Sequence, residues 1–116
     1  MSKREYRDYL QDISDAIDAI EIFTEGITTK DQFINDLKTS YATRKAIEII
    51  GEATKKIPGS FKDKHPDVPW RKMAGMRDRR MHEYFCVDMD VLWETVQKDI
   101  PQLRVSIAEI LKDIKG

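Results

Sequence analysis

Apolar residues recur at helical spacing along most of the chain, and no stretch shows the strict alternation of a half-buried β-strand. Near the N-terminus they follow alternating steps of four and three residues: Tyr6, Leu10, Ile13, Ile17 and Ile20. This stripe predicts an amphipathic helix from about Lys3 to Phe23. Gly26 should end it, because glycine adopts positive φ without strain.

A capping box and a second group of apolar positions predict the next two helices. Thr29 with Gln32 indicates a short helix from about Lys30 to Lys38, with a buried face formed by Phe33, Ile34 and Leu37. A third helix should run from about Ser40 to Lys56, with a packing side formed by Ala42, Ala46, Ile49, Ile50 and Ala53. Gly51 inside it costs up to about 1 kcal/mol relative to alanine. Either another helix crosses closely there or a ligand does, and we favour close packing.

The middle of the chain predicts a loop followed by a helix that leads into the basic stretch. After Pro58-Gly59, residues 60–69 should form the loop, in which His65 is a surface residue rather than a ligand. Pro69 can open the next helix at its first position, and Trp70 should anchor that helix in the core.

The C-terminal quarter carries one long helical stripe. Asp88 is the predicted N-cap, and the apolar positions continue almost to the end: Val91, Leu92, Val96, Ile100, Leu103, Ile107, Ile110 and Ile114. Pro101 lacks a backbone donor, so a kink or a brief break is expected near Asp99.

Together these elements predict an all-α fold, an antiparallel bundle of four to five helices in a single domain over residues 1–116. A chain of 116 residues with 41% hydrophobic and 35% charged residues is large and apolar enough to form its own core. The formal net charge is −1, so any nucleic-acid binding must come from a local patch. Residues 71–80 provide such a patch, with five basic residues and one acid.

The cysteine content and the hydropathy favour a cytoplasmic protein. The single cysteine, Cys86, cannot form an intramolecular disulfide, which fits a reducing compartment. No apolar run is long enough to span a bilayer, and no membrane association is expected. One cysteine and two distant histidines do not have zinc-ligand spacing, so neither a metal nor another cofactor is expected.

Residues 76–85 contain the highest density of side chains that could take part in catalysis. Among them, Arg77, His82 and Tyr84 fit the pattern R-x4-H-x-Y. An imidazole can move protons near neutral pH, and a guanidinium can offset the charge that develops on a scissile phosphate. This pair could cleave RNA without a metal through the 2′-hydroxyl, leaving a 2′,3′-cyclic phosphate, while DNA resists. The predicted contacts to the RNA backbone come from neighbouring basic side chains: Arg71, Lys72, Arg79 and Arg80.

Helical geometry divides this candidate site into two edges. At ~100° per residue, Arg77 and His82 project about 140° apart, whereas Tyr84 falls within roughly 20° of Arg77. Asp78 lies one turn before His82, on nearly the same face. A two-fold dimer that juxtaposes two such helices could bring both edges to one phosphate.

The sequence resembles the HepT-like branch of the HEPN superfamily over nearly the whole chain. The resemblance includes R-x4-H-x-Y and, in the same order as in the family, Gly51-Glu52-Ala53, Trp70, Gly75-Met76-Arg77, Val91-Leu92-Trp93 and Asp99-Ile100-Pro101. It implies a HEPN-like helical bundle that forms a homodimer. It also implies a metal-independent ribonuclease toxin of a type VII-like toxin–antitoxin pair.

The resemblance further implies a role for each motif residue. Arg77 and His82 would be the catalytic pair, with Asp78 in support. Tyr84 would be the residue to which a cognate minimal nucleotidyltransferase, the antitoxin, adds AMP. The partners expected are therefore RNA, a second copy of the chain and this antitoxin, in a dimer or a larger complex.

Two other interpretations remain open at this point. One is a non-catalytic HEPN module that binds nucleotide or docks a minimal nucleotidyltransferase, in which asparagine could replace His82. The other is a structural helical dimer in which His82 only satisfies a buried hydrogen bond. For Glu52 the sequence does not decide between a surface carboxylate and a partner for an arginine of the basic patch.

Overall fold

The computed structural model describes residues 5–75 and 89–115. These residues form six helical units and no strand. Five are separate helices: α1 (Tyr6–Phe23), α2 (Lys30–Asn35), α3 (Leu37–Lys55), α4 (Gly59–Asp63) and α5 (Trp70–Gly75). The sixth is one continuous stretch: α6 (Met89–Glu94), a π-helical segment (Thr95–Asp99) and α7 (Ile100–Lys115). The predicted all-helical, HEPN-like bundle is confirmed, with one short helix more than expected.

The core forms where α1 packs on α3 and α7, while α5 packs on α3. Tyr9 of α1 lines one surface pocket with Ala53 of α3 and with Lys56, which directly follows α3. Phe23, at the other end of α1, lines another with Ala42, so α1 and α3 run antiparallel. The predicted stripe of α1 is buried apart from Tyr6, and α7 contributes Leu103, Ile107 and Ile110. Gly51 is buried as well, which fits close helix packing there.

The boundary between the second and third helices differs from the prediction. The capping box of Thr29 and Gln32 is present and starts α2 as expected, but α2 ends at Asn35 and α3 already begins at Leu37. Asp36 separates them, because its carboxylate accepts a hydrogen bond of 3.0 Å from the backbone amide of Thr39 and thereby caps α3. Leu37 therefore lies on the first turn of α3 and is 61% exposed, so its predicted burial is wrong.

The predicted packing side of α3 is also partly wrong. Ala46, Ile50 and Ala53 are buried as expected. Ile49 is 38% exposed, whereas Ile47, which the pattern did not select, is fully buried. The buried face of α3 is thus wider than the predicted stripe, since α3 packs against α1 on one side and α5 on another.

The predicted loop at residues 60–69 contains a helical turn, α4. Phe61 stabilises this turn, because its ring stacks on that of Tyr6 with 4.6 Å between the ring centroids. It also meets His65 at 4.7 Å and Trp70 at 6.4 Å. Aromatic contacts therefore attach this segment to the start of α1 and to the start of α5. The polar residues and prolines of residues 60–69, from which the loop was predicted, do not indicate these contacts.

The disturbance expected before Pro101 is a π-helical segment rather than a break. Proline cannot donate a backbone hydrogen bond, and its ring crowds the preceding turn. A wider turn accommodates an extra residue without ending the helix. The apolar stripe continues across the segment, with Val96, Ile100 and Leu103 all buried.

An ion-pair cluster joins α7 to α1 outside the core. Arg104 donates to the Asp18 carboxylate at 2.6 Å and also to that of Glu21. The hydrogen bond to Asp18 is the main reason that the pKa of Arg104 is raised. No helix in the described part of the chain is long and apolar enough to cross a membrane.

Candidate functional site

The motif that carries the predicted chemistry lies outside the described residues. This applies to Arg77, Asp78, Arg79, Arg80, His82 and Tyr84, and to the predicted N-cap Asp88. The structure does describe both flanks of the motif, α5 up to Gly75 and α6 from Met89. These flanks fix where the chain enters and leaves the candidate site.

Two buried side chains of α5 anchor the N-terminal flank of the motif, which we call the entrance. Trp70 is 9% exposed, and its indole Nε1 donates a hydrogen bond of 2.9 Å to the backbone carbonyl of His65. Met73, one turn later, is fully buried. The Pro69 carbonyl accepts from the Met73 amide at 3.0 Å, so Pro69 lies just before α5 rather than at its first position. Trp70 anchors the helix in the core as predicted.

Residues of α6 anchor the C-terminal flank of the motif, which we call the exit. Leu92 is fully buried, and the ring of Trp93 lies 5.2 Å from that of Phe33 on α2. Lys30 of α2 also lies 3.4 Å from the Asp90 carboxylate. The described residues on both sides of the motif segment are thus packed against the rest of the bundle.

Lys72, one of the predicted RNA contacts, makes an ion pair across the two flanks. Its ammonium lies 2.8 Å from the carboxylate of Asp99, the last residue of the π-helical segment. The Lys72 side chain is 60% exposed and that of Asp99 is 23% exposed. A pocket of about 90 Å³ adjoins the pair, lined by Pro69, Lys72, Met73, Asp99, Gln102 and Leu103. Arg71, beside it, is exposed.

This pair was missed by sequence reasoning, because the two residues are 27 positions apart. Arg71 and Lys72 lie on α5, which ends just before the motif in the sequence. An exposed ammonium can exchange its carboxylate partner for a phosphate at little cost. Asp99 holds the Lys72 ammonium across this junction.

The two residues whose roles the sequence left open lie elsewhere. Glu52 is exposed on α3 and lines a surface pocket with Tyr9 and Lys56, facing α1. His65 is half-buried and packs on Phe61, so it is a packing residue rather than a fully exposed one. Over residues 5–75 and 89–115 there is no group of three or more histidine, cysteine or carboxylate side chains that could hold a metal ion.

The comparisons with known proteins assign the chain to a family. The sequence profile of the ribonuclease HepT-like family matches residues 13–110, a range that contains the whole motif and both flanks. The chain belongs to the ribonuclease HepT-like family. A protein of Thermococcus cleftensis named "Probable ribonuclease HepT" is 52% identical over 110 residues, covering 95% of this chain and 99% of that protein.

More distant HepT-like relatives match over nearly the full length. "Putative RNase MJ1216" of Methanocaldococcus jannaschii is 40% identical over 116 residues, covering 100% of this chain and 95% of that protein. "Putative RNase TTE0752" of Caldanaerobacter subterraneus is 41% identical over 109 residues, covering 94% of this chain and 96% of that protein. No solved structure gave a significant match.

Proposed function

We propose that this HepT-like protein is a metal-independent ribonuclease that acts as the toxin of a type VII-like toxin–antitoxin system. The observation that carries the proposal is that R-x4-H-x-Y, at residues 77–84, lies inside the range matched by a ribonuclease family. The names of three relatives describe them as ribonucleases, which supports an RNA substrate.

In the proposed mechanism the substrate supplies the nucleophile. His82 takes the proton of the 2′-hydroxyl, whose oxygen attacks the adjacent phosphorus, and a proton is returned to the departing 5′-oxygen. The products are a 2′,3′-cyclic phosphate and a free 5′-hydroxyl. Arg77 pairs with the phosphate oxygens on which charge accumulates, and Asp78 orients the imidazole. The two-fold homodimer brings both edges of the site to one phosphate.

The basic side chains around the motif would hold the RNA backbone. Arg71 and Lys72 lie on α5, immediately before the motif, and Arg79 and Arg80 lie within it. Contacts of this kind depend on charge and not on base identity. Binding should therefore weaken steeply as the salt concentration rises.

Neutralisation would act on Tyr84. AMP added by a nucleotidyltransferase antitoxin would place a bulky, negatively charged group next to Arg77 and occupy the phosphate subsite. Tyr84→Phe should cleave RNA at close to the wild-type rate while resisting the nucleotidyltransferase. Tyr41→Phe, which alters an exposed tyrosine on α3, is the matched control and should remain sensitive. If the AMP-modified protein cleaves RNA as fast as the unmodified one, this mode of neutralisation is refuted.

The nuclease itself is tested with a defined single-stranded RNA in EDTA and a matched strand bearing a single 2′-deoxy position. Cleavage should occur without metal and should stop at the substituted position, because the nucleophile is missing there. Uncleaved RNA, in the presence of folded protein free of AMP, would favour a HEPN module that only binds nucleotide or its partner. Cleavage that requires a divalent cation would contradict the proposed mechanism.

A further inference from the structure

We infer that the surface formed by α4 and the start of α1 binds single-stranded RNA, next to the proposed RNA contacts of α5. It would hold a part of the strand that is not cleaved, so the inference rests on the proposed ribonuclease function. We call this surface the α4 platform and define it by Tyr6, Phe61, Lys62, Lys64 and Arg71. An exposed aromatic ring and a group of unpaired basic side chains together make it a surface for RNA.

The rings at the platform extend from the core to the solvent. Trp70 is buried, and its ring lies 6.4 Å from that of Phe61. The half-buried Phe61 ring stacks on that of Tyr6, with 4.6 Å between the centroids and 29° between the ring planes. Tyr6 is 37% exposed. Its ring is therefore held in place by Phe61 and still open to solvent, so a nucleotide base can stack on it.

His65 supports the rings by packing. Its ring lies 4.7 Å from that of Phe61, and its backbone carbonyl accepts the hydrogen bond of 2.9 Å from the Trp70 indole. These two contacts attach the end of α4 to the start of α5. The surface offered to a base is thus the Tyr6 ring, on a support that is already ordered.

Basic side chains without an ion-pair partner lie around these rings. Within residues 5–75 and 89–115, many other basic side chains pair with a carboxylate: Arg7, Lys30, Lys45, Lys72, Lys98 and Arg104. In the same part of the chain, Lys62, Lys64 and Arg71 form no ion pair, and each is next in the sequence to a member of the ring cluster. Their charges therefore remain available to phosphate groups.

Nearby carboxylates reduce the positive charge of this region without cancelling it. Residues 55–71 contain five basic side chains and two acidic ones, Asp63 and Asp67. Glu52 of α3 and Asp8 of α1 offset two more of these charges. The local excess is small, so charge alone would hold an RNA strand weakly. Stacking on the exposed ring has to supply part of the binding.

The ring selects single-stranded nucleic acid, because the bases of a duplex already stack on one another. Stacking and phosphate contacts do not identify bases, so the platform should accept many sequences. It also lies close to the motif along the chain. From Trp70 to Gly75, the last described residue before the motif, α5 extends about 7.5 Å. A strand of a few nucleotides is long enough to contact both ends of α5.

A probe that cannot be cleaved tests the charges of the platform. Fluorescence anisotropy is measured with a single-stranded 2′-O-methyl RNA of about 12 nucleotides at several salt concentrations. The double variant Lys62→Gln/Lys64→Gln should bind about 10-fold more weakly, and the slope of log affinity against log salt should fall by about 1.4. Lys38→Gln/Lys45→Gln, in the first half of α3, is the matched control. It removes the same charge and should change affinity by less than about two-fold, because distant exposed charges are screened.

The ring is tested with the same probe. Tyr6→Leu keeps an apolar side chain against Phe61 but removes the stacking surface, so binding should weaken by about 10-fold. Tyr6→Phe keeps the ring and should bind like the wild type. Tyr41→Leu, which removes an exposed tyrosine of α3, is the control and should also bind like the wild type. Circular dichroism checks that each variant keeps its helical content.

Failure of the platform can be distinguished from failure of the proposed function. A protein that cleaves RNA, and whose platform variants bind the probe as the wild type does, would overturn the inference alone. A wild type that binds the probe through the platform but never cleaves RNA would support the inference and refute the nuclease.

Three further results would overturn the inference. One is equal affinity of the wild type for a duplex of the same length, and another is equal weakening by Lys38→Gln/Lys45→Gln. The third is a platform variant that loses binding to a purified nucleotidyltransferase and keeps its affinity for RNA, because the surface would then dock a protein.

Discussion

At the scale of single residues, two buried threonines differ in whether their hydroxyl groups have a hydrogen-bond partner. Thr43 and Thr54 both lie on α3 and are both fully buried. The Thr54 hydroxyl donates to the Ile50 carbonyl at 2.7 Å, whereas the Thr43 hydroxyl has no hydrogen-bond partner in the described part of the chain. A buried hydroxyl without a partner lowers stability.

Replacing each threonine by valine should therefore have different effects on the free energy of unfolding. Thr43→Val removes a polar atom that gains nothing from burial and should raise the free energy of unfolding by about 1 kcal/mol. Thr54→Val loses a hydrogen bond to its own helix and should be neutral or destabilising. Urea denaturation of both variants measures the difference. A Thr43→Val protein that is less stable than Thr54→Val would show that the Thr43 hydroxyl is satisfied in solution.

The Lys72–Asp99 ion pair leads to a prediction about RNA binding. Asp99→Asn removes the competing carboxylate and should tighten RNA binding several-fold, while Lys72→Gln should weaken it and reduce its salt dependence. The effect on stability should stay within ~1 kcal/mol, because the pair is partly exposed. Glu94→Gln is the matched control, since Glu94 pairs at 2.7 Å with Lys98 rather than with a residue of α5.

These affinities can be measured by fluorescence anisotropy with a 2′-O-methyl RNA strand, which cannot be cleaved through the 2′-oxygen. If Asp99→Asn and Glu94→Gln tighten RNA binding equally, the loss of one negative charge anywhere on this surface explains the change, and release of Lys72 from Asp99 does not. The partner of Lys72 was invisible to sequence patterns, because side chains 27 positions apart meet only after the helices pack.

At the scale of helices, the sequence predicted the long elements well and their junctions less well. The four-and-three stripe of α1, the turn at Gly26 and the capping box of α2 all appear in the structure, with Gly26 at φ 83°. The errors lie where two local signals compete. Leu37 continues the apolar pattern of α2, but the cap at Asp36 ends that helix first. Helix α4 depends on contacts between Phe61 and distant rings, which no local pattern contains.

The cap at Asp36 should make part of the stability depend on pH. The backbone amide of Thr39 donates to the Asp36 carboxylate and lowers the pKa of that carboxyl below its usual value. A group with a lowered folded-state pKa stabilises the protein above its unfolded pKa, and this stabilisation is lost as the pH falls through the folded-state value. The contribution should thus be complete at neutral pH and should decline below about pH 4.

Two substitutions separate the charge from the cap. The difference in unfolding free energy between wild type and Asp36→Ala should be constant near neutral pH and should shrink in acid. Asn can accept the same hydrogen bond but does not titrate, so the difference between Asp36→Asn and Asp36→Ala should not change with pH. Chemical denaturation at several pH values checks both curves. Parallel curves for wild type and Asp36→Asn would contradict the assignment.

At the scale of the whole molecule, the described helices pack into one bundle that holds the two flanks of the motif segment. Trp70 and Met73 fix the entrance, and Leu92 fixes the exit. The candidate site itself could be predicted only from residue types, spacing and family resemblance. Those features specify which groups can carry out the proposed chemistry, while the proposed convergence of these groups on one phosphate would require a second copy of the chain.

In the proposed mechanism, His82 transfers the protons in RNA cleavage. The chain offers a matched control, because its only other histidine, His65, lies outside the motif sequence and packs on Phe61. The most direct measurement compares wild type, His82→Asn and His65→Asn on the same RNA in EDTA, with the product ends analysed. We predict 2′,3′-cyclic phosphate ends from wild type and His65→Asn, and at least a ~100-fold lower rate from folded His82→Asn. Cleavage by His82→Asn at the wild-type rate would show that His82 does not transfer these protons.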